Sequence, residues 1–445
     1  MLDKYVAIID IGTTKIVCLV GSKDPEGNLH VMGYGEAVSD GIQRGIVVNL
    51  VRASEAIKIA VNKAKEQSGI DFQEVYVGIA GQHIFSQQIS HSIINDKSDL
   101  INAELVKKLS NEVYNMAMQP GEQIIHVFPQ SYRVDNMYVE DPVGVMGKQL
   151  VGDFSISIGK ERSIVVIRKS VEDLGLRVVK IILEPLASAE SVLTSEEKEA
   201  GTVLVDIGGG TTDMVIFKNN IMRHSAVIPI GGKVVTADIC EGCGVLMKQA
   251  EELKVQYGCA IADLVKQTDV AAVPSVSDRG QPREFSFKTI AEIIQARVIE
   301  VIDTVKKEID NSACASGLPG GIVLTGGGSL LKHIDKLFEF RTGYETKVCG
   351  PGKYVYLEHD AFKSPKYSTS LGLLLKGLDY EKQRDVIKNK AKLEEEKRAE
   401  EEQEEQRELE PDEVEKSKKK TNPISALFDK FKDFLVESED DSMKV

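Results

Sequence analysis

One short unit occurs twice in this chain, and the repeat limits the possible folds more than any other feature. Residues 6–9 and 16–20 are apolar, strand-like runs joined by Asp10-Ile11-Gly12-Thr13-Thr14-Lys15. Further on, Val203-Leu204-Val205 leads into Asp206-Ile207-Gly208-Gly209-Gly210-Thr211-Thr212-Asp213 and then Met214-Val215-Ile216-Phe217. Each copy reads as a tight hairpin with glycine in its turn. The separation of about two hundred residues is far longer than a solenoid repeat, so two related halves facing each other are expected.

At 445 residues the chain exceeds what one hydrophobic core usually holds, which independently implies two or more domains. Between the hairpins, 54–67 is expected to be helical, 75–80 a strand, and 103–118 a helix followed by extended segments at 124–134 and 152–158. That stretch forms a small α+β insertion. Residues 163–167, 171–174 and 178–183 read as strand, helix and strand, a return to an α/β pattern. After the second hairpin, helices at 233–239, 247–257 and 290–309 surround a polar, β-like segment at 269–287.

The expected division is a first core subdomain at 1–81, completed by 161–199 and 362–380, carrying the insertion at 82–160. A second core subdomain at 200–232 and 311–361 carries a second insertion at 233–310. From 381 to 421 Glu, Lys, Arg and Gln dominate, and such a segment cannot bury a core. It reads as a linker reaching roughly 35 Å as coil or about 60 Å as one solvated helix. The apolar heptad of a coiled coil is missing from it.

A net charge of −14, with basic residues scattered among acidic ones, repels phosphate backbones, so no nucleic-acid partner is expected. No run approaches the roughly 20 apolar residues that span a bilayer. The start Met1-Leu2-Asp3-Lys4-Tyr5 lacks the basic and apolar regions of a signal peptide, so a cytoplasmic location is expected. Six cysteines in so long a chain make no disulfide framework. Cys240 and Cys243 form a Cys-x-x-Cys that can begin a zinc or redox site, but only Cys259 lies nearby as a further ligand. Small buried thiols are the favoured reading.

A turn such as Asp10 to Lys15 aims backbone N–H groups at phosphate oxygens, and Gly12 lets the chain approach closely. Thr13 and Thr14 add hydroxyls and Lys15 a compact positive charge. Asp10 and, from the second turn, Asp206 are placed to hold a hydrated magnesium ion through water. Alone, either turn is equally well explained as an ordinary β-turn; the pair is what points to a metal-bound triphosphate. Gly208, Gly209, Gly210, Thr211 and Thr212 complete the second turn, with Gly231 and Gly232 just beyond it. A third element, Gly320 to Thr325 followed by Gly326-Gly327-Gly328-Ser329, is an apolar strand ending in glycines where a purine and ribose can lie against backbone.

In this order the three elements resemble the phosphate-one, phosphate-two and adenosine motifs of the actin, sugar-kinase and heat-shock-chaperone ATPase superfamily. The resemblance implies an α/β, actin-like two-domain fold of duplicated halves around a nucleotide cleft, binding ATP and Mg2+. Glu184 in Glu184-Pro185-Leu186-Ala187 is similar to the connecting-helix glutamate of bacterial actins and is the candidate to position an attacking water. A helix-start role for Glu184 and Pro185 is the alternative. Glu251 and Lys254 resemble the superfamily's adenosine-contacting pair.

Sugar kinases also need a general base and a closed sugar pocket, and no such constellation is found; a metabolic small-molecule kinase is the alternative function. The stretches 40–45, 125–135 and 141–150, Asp40-Gly41-Ile42-Gln43-Arg44-Gly45 among them, are instead similar to the bacterial cell-division FtsA family. That resemblance implies a protein that polymerises and ties the FtsZ ring to the cytoplasmic face of the inner membrane. ATPase activity would be slow at most. The first insertion would make filament contacts or recruit later division proteins, and the second would dock the FtsZ C-terminal peptide, with Arg297 and Lys306 on its bordering helix. A solvated helix face explains those two cations equally well.

Thr421-Asn422-Pro423 supplies a helix start, and Ile424, Leu427, Phe428, Phe431, Phe434 and Leu435 then fall on one helical face. The resulting helix, assigned to 422–436 ahead of an acidic tail at 437–445, is about 21 Å long and suits an anionic membrane interface rather than a span. Lys418, Lys419 and Lys420 add basic charge just upstream. A chain truncated at Asn422, or carrying Phe428→Glu with Phe431→Glu, should keep nucleotide binding and lose sedimentation with anionic liposomes. Undiminished sedimentation would rule the anchor out.

Overall fold

The computed structural model describes residues 5–408 apart from 25, 97–99, 275–280, 313, 315–316 and 353–359, with side chains described to residue 389. Strands β1 (Tyr5–Ile11) and β2 (Lys15–Lys23) form the first hairpin, and β3 (Leu29–Val38) extends it. A short ladder of β4 (Ile42–Gln43) and β5 (Ile46–Val47) precedes α1 (Leu50–Ser68) and β6 (Glu74–Ile79). The insertion holds β7 (Ile84–Ile94), α2 (Ala103–Tyr114), β8 (Glu122–Val134), β9 (Met137–Val139) and β10 (Gln149–Lys160). Helix α3 (Glu161–Glu172), strand β11 (Arg177–Leu183), α4 (Glu184–Val192) and α5 (Ser195–Ala200) lead to the second half.

There β12 (Thr202–Ile207), β13 (Thr212–Lys218) and β14 (Ile221–Ile228) repeat the opening meander. Next come α6 (Gly232–Cys243), α7 (Met247–Tyr257), β15 (Val270–Val273), β16 (Arg283–Ser286) and α8 (Phe287–Asn311). The chain continues through β17 (Ile322–Thr325), α9 (Ile334–Thr342), β18 (Thr346–Val348) and α10 (Ser368–Glu408).

The duplication is complete at the level of topology. One sheet runs β3-β2-β1-β6-β11 and the other β14-β13-β12-β17-β18. In both, an antiparallel meander is followed by two parallel strands. The hairpins close in the same register, Ile11 opposite Ile16 and Ile207 opposite Thr212. Their turns are therefore equal in length, and Asp10 and Asp206 occupy equivalent positions. Because both strands of each hairpin are buried on both faces, they read as continuous apolar runs rather than alternating ones.

Small residues bring helices close to these sheets. Helix α1 starts with the Asn49 side chain accepting from Arg52 N–H and ends at Gly69, whose φ of 67° is left-handed. It buries Ala53, Ala56, Ala60 and Ala64, and a Cβ added at Gly35 of β3 would run into the Ala60 carbonyl. Helices α4 and α10 cross with equal intimacy, since a Cβ at Gly372 would meet the Ala187 carbonyl.

The strand expected at 163–167 is a correction: those residues lie within helix α3. The run Ser163-Ile164-Val165-Val166-Ile167 has β-forming composition, but Ile164, Ile167 and Val171 are buried while Val165 is exposed. That is helical spacing, and tertiary burial outweighed propensity. Residues 171–174 close that helix instead of forming one.

The insertion is a four-stranded antiparallel sheet, β7-β10-β8-β9, with Leu109 and Val113 of α2 packed against Phe154, Ile156 and Ile158. Pro129 sits at a register shift of β8 against β10, where its missing N–H is tolerated. The insertion also touches the second half. Gln130 Nε2 donates to Met222 O at 2.8 Å, and Arg223 donates to Gln130 O at 2.8 Å. Ser86 and Ser225 share a hydroxyl contact of 2.7 Å.

Residues up to Leu378 form one compact unit, and those from Asp379 are counted as a second. Of the two conformations open to the charged segment, the described residues adopt the helix, since α10 is helical to Glu408. Among the described residues no helix is long and apolar enough to cross a membrane. Gly372→Val should lower the midpoint of thermal unfolding by several degrees, at ~1–3 kcal/mol for overpacking, because neither backbone at the α4–α10 crossing can yield. An unchanged melting curve would contradict that packing.

Candidate functional site

The hairpin turns meet tip to tip. A Cβ at Gly209 would strike the Thr14 side chain, and one at Gly210 the Thr13 side chain, so the second turn's glycines make room for the first turn's threonines. Gly231 lets the start of α6 reach the same place, since its Cβ would lie 2.8 Å from Gly208 O. Gly232 N donates to Gly208 O at 2.9 Å and Lys233 N to Gly209 O at 2.8 Å. Gly326 has a φ of 83°, and any side chain there would collide with Asp206.

These elements enclose a cleft of about 1440 Å³. Val235, Val255, Val298, Val301, Leu331 and Ile334 line an apolar end, beside Gly327 and Gly328. Ser329 is buried there, its hydroxyl donating to Gly326 O at 2.8 Å. Glu251 and Lys254 form an ion pair of 2.7 Å, and Lys254 also donates to Gly232 O at 3.0 Å and to Thr236 Oγ1 at 2.8 Å. The pair joins α7 to the α6 start at the cleft, with Lys254 largely buried and the Glu251 side chain 46% exposed.

Carboxylates line the same cleft: Asp10, Asp206, Asp213 and Glu184. Ser370 Oγ donates to Asp10 Oδ2 at 2.5 Å, while Asp206 Oδ2 accepts from Ser188 Oγ at 2.7 Å and Thr369 Oγ1 at 3.0 Å. Thr211 Oγ1 donates to Asp213 Oδ2 at 3.0 Å, and Asp213 Oδ1 is buried without a hydrogen-bond donor. Burial raises the proton affinity of all four. Asp213 is pushed up to about 7 by burial and then by Asp206. Glu184 is held well above the usual carboxylate range by burial and then by Asp10, Asp213 and Asp206.

The cation nearest this group is already engaged. Lys15 donates to Lys366 O at 2.7 Å and lies 3.8 Å from the centre of the Tyr367 ring, and burial lowers its pKa to about 8. Four carboxylates that oppose one another's ionisation, with an orphaned oxygen on Asp213, fit a hydrated divalent cation. Among the described residues no three His, Cys, Asp or Glu side chains form a group that could hold a metal ion.

Comparison with known proteins agrees with this geometry. A family model described as "Cell division protein FtsA" matches residues 203–372, and one described as "SHS2 domain inserted in FTSA" matches 81–158. The cell division protein FtsA of Pseudomonas aeruginosa is 38% identical over 383 residues, covering 86% of this chain and 91% of the relative. The chain belongs to the FtsA family of cell division proteins. Among solved structures, a chain of the PilM-PilN type IV pilus biogenesis complex aligns with a TM-score of 0.62 at 16% identity, over 84% of this chain and 98% of that one. MreB5 of Spiroplasma citri aligns at 0.51 and 14% identity, over 86% of this chain and 98% of that one. The FtsA-family fold here is actin-like.

The candidate cleft residues of this FtsA-family chain from both turns, α4, α7 and the 326–329 segment come together in one place. Thr212 faces away from the cleft centre, its hydroxyl on Ile230 O at 2.8 Å. Arg297 is committed to Asp238, through bonds of 2.6 and 3.0 Å, and to Glu300, and Lys306 Nζ lies 3.4 Å from Arg341 O. Cys243 is buried in the core and the Cys240 thiol donates to Val245 O at 2.9 Å. The tail residues Ile424, Leu427, Phe428, Phe431, Phe434 and Leu435 lie outside the described residues.

Sequence reasoning missed Asp213, Ser188, Thr369 and Ser370. Asp213 was findable as the one acid in an apolar strand, directly opposite Asp206 in the hairpin register. The hydroxyls come from α4 and α10, and nothing local marks them. Because the folded pKa of Asp213 is raised above its unfolded value, the native state binds the extra proton between about pH 4 and 7, so stability falls as pH rises through that window. Asp213→Asn should therefore be more stable than the parent by roughly 4 kcal/mol at pH 8, with the gain vanishing near pH 4. Denaturant melts at the two pH values test this; a pH-independent difference would refute it.

Proposed function

We propose that this chain binds Mg·ATP in the cleft, uses it as an assembly ligand for actin-like filaments, and tethers the FtsZ ring to the cytoplasmic face of the inner membrane at the division site. The observation that carries the nucleotide reading is the convergence of two mirrored turns on four buried carboxylates. Apolar side chains and the Glu251–Lys254 pair line the same cleft. Carboxylates alone repel a triphosphate, and a magnesium ion supplies the charge that makes the two compatible. The MreB5 relative, which shares the fold, is described as bound to ADP.

Within that reading, Asp10 and Asp206 orient the hydrated metal, fixed by Ser370, Ser188 and Thr369. The turn amides and the Thr13 and Thr14 hydroxyls take phosphate oxygens, while Glu251 and Lys254 meet the adenosine. Glu184 sits at the start of α4 beside Gly78 and accepts a proton from water, but its burial makes ionisation costly, so hydrolysis is slow at most. The second insertion receives the FtsZ C-terminal peptide, and the first makes filament contacts and recruits later division proteins. The C-terminal helix binds anionic lipid, and many weak anchors in one filament raise avidity by orders of magnitude.

Electron microscopy on anionic lipid monolayers tests the assembly step. Filaments should form with Mg·ATP and be absent when magnesium is chelated. Unassembled particles at saturating nucleotide would sink the proposal, as would filaments indifferent to it.

A further inference from the structure

Lys233 follows Gly232 at the start of α6, in the second half, yet its ammonium donates to Thr13 O in the first half's turn at 2.6 Å. Both ends of this bridge are fixed. Thr13 Oγ1 accepts from Gly45 N at 3.2 Å, and the Thr13 side chain fills the space left by Gly210. On the other side, the backbone N–H groups of Gly232 and Lys233 are bonded to Gly208 O and Gly209 O. The ammonium thus spans the mouth between the two turns.

Two other lysines of the cleft, Lys15 and Lys254, have further partners. Lys15 has the Lys366 carbonyl and the Tyr367 ring, and Lys254 has the Glu251 carboxylate. The hydrogen bond of Lys233 is to a neutral carbonyl, a weaker acceptor than a phosphate oxygen. Its acceptor, Thr13, belongs to the turn proposed to hold phosphate oxygens, and its charged neighbours are Glu251 and Asp40.

Resting on the nucleotide reading of the cleft, we propose that Lys233 ties the two halves together and serves as a ligand for the terminal phosphate of a nucleoside triphosphate. A diphosphate lacks that group and leaves the ammonium on Thr13. Lys233 is therefore the residue that distinguishes ATP from ADP, whereas Lys254 serves both.

Calorimetric titration of the full chain with Mg·ATP and Mg·ADP tests the ligand role. Lys233→Met, which keeps the length of the stem, should weaken ATP about tenfold and ADP less than about twofold, and Lys233→Arg should recover most of the loss. Equal losses for the two nucleotides would overturn the terminal-phosphate role. A parent chain that binds neither nucleotide would instead overturn the cleft reading beneath it. Hydrogen exchange of the nucleotide-free protein tests the tie separately. Lys233→Met should speed exchange in residues 12–15 and 208–211, and unchanged rates there would overturn it.

Discussion

Everything in this molecule is arranged around taking four carboxylates out of water at one point. Asp10, Asp206, Asp213 and Glu184 each carry a desolvation cost and crowd like charge together, and among the described residues the buried Lys15 offsets only part of it, at Asp10 and Asp206. The fold tolerates this because hydroxyls take up part of the cost. They come from the two crossing helices: Ser188 of α4 reaches Asp206, and Thr369 and Ser370 of α10 reach Asp206 and Asp10. One helix thereby contacts the acidic residues of both halves. Any relative movement of the halves must alter those bonds, which couples cleft geometry to the charge state of the site.

The tight α4–α10 crossing follows from the same demand. Only with Gly372 against the Ala187 carbonyl do the helices approach closely enough for short serine and threonine side chains to reach the carboxylates. The glycine-rich second turn is the counterpart at the other end, since Gly209 and Gly210 are what admit Thr14 and Thr13. The insertion then rests on β14 through Gln130, Arg223 and Ser225, so the first half touches the second at the cleft and at a point beyond it.

Much of this was legible in the amino-acid order because the hairpins are local. Their apolar strands, glycine turns and matched aspartates fix the duplicated meander without any distant contact. What sequence obscured was register and long-range pairing. Matching Thr13-Thr14 with Thr211-Thr212 by letter is misleading, for the strand pairing sets Thr211 at the place of Lys15 and leaves Gly209 and Gly210 opposite the first pair. Helix α3 was hidden by β-branched residues whose burial alone reveals the helical period. The hydroxyls on α4 and α10, and Lys233 reaching Thr13, join residues distant in sequence, and no local pattern announces such contacts.

Burial raises the proton affinity of these acidic residues, and the Mg·ATP proposed for the cleft would draw them toward the ionised form. Titration calorimetry of Mg·ATP near pH 6.5, repeated in buffers of different ionisation enthalpy, measures the protons exchanged on binding. Net release of protons is the expected result, since the metal favours the ionised carboxylates. Binding with no proton release, or with uptake, would contradict the account.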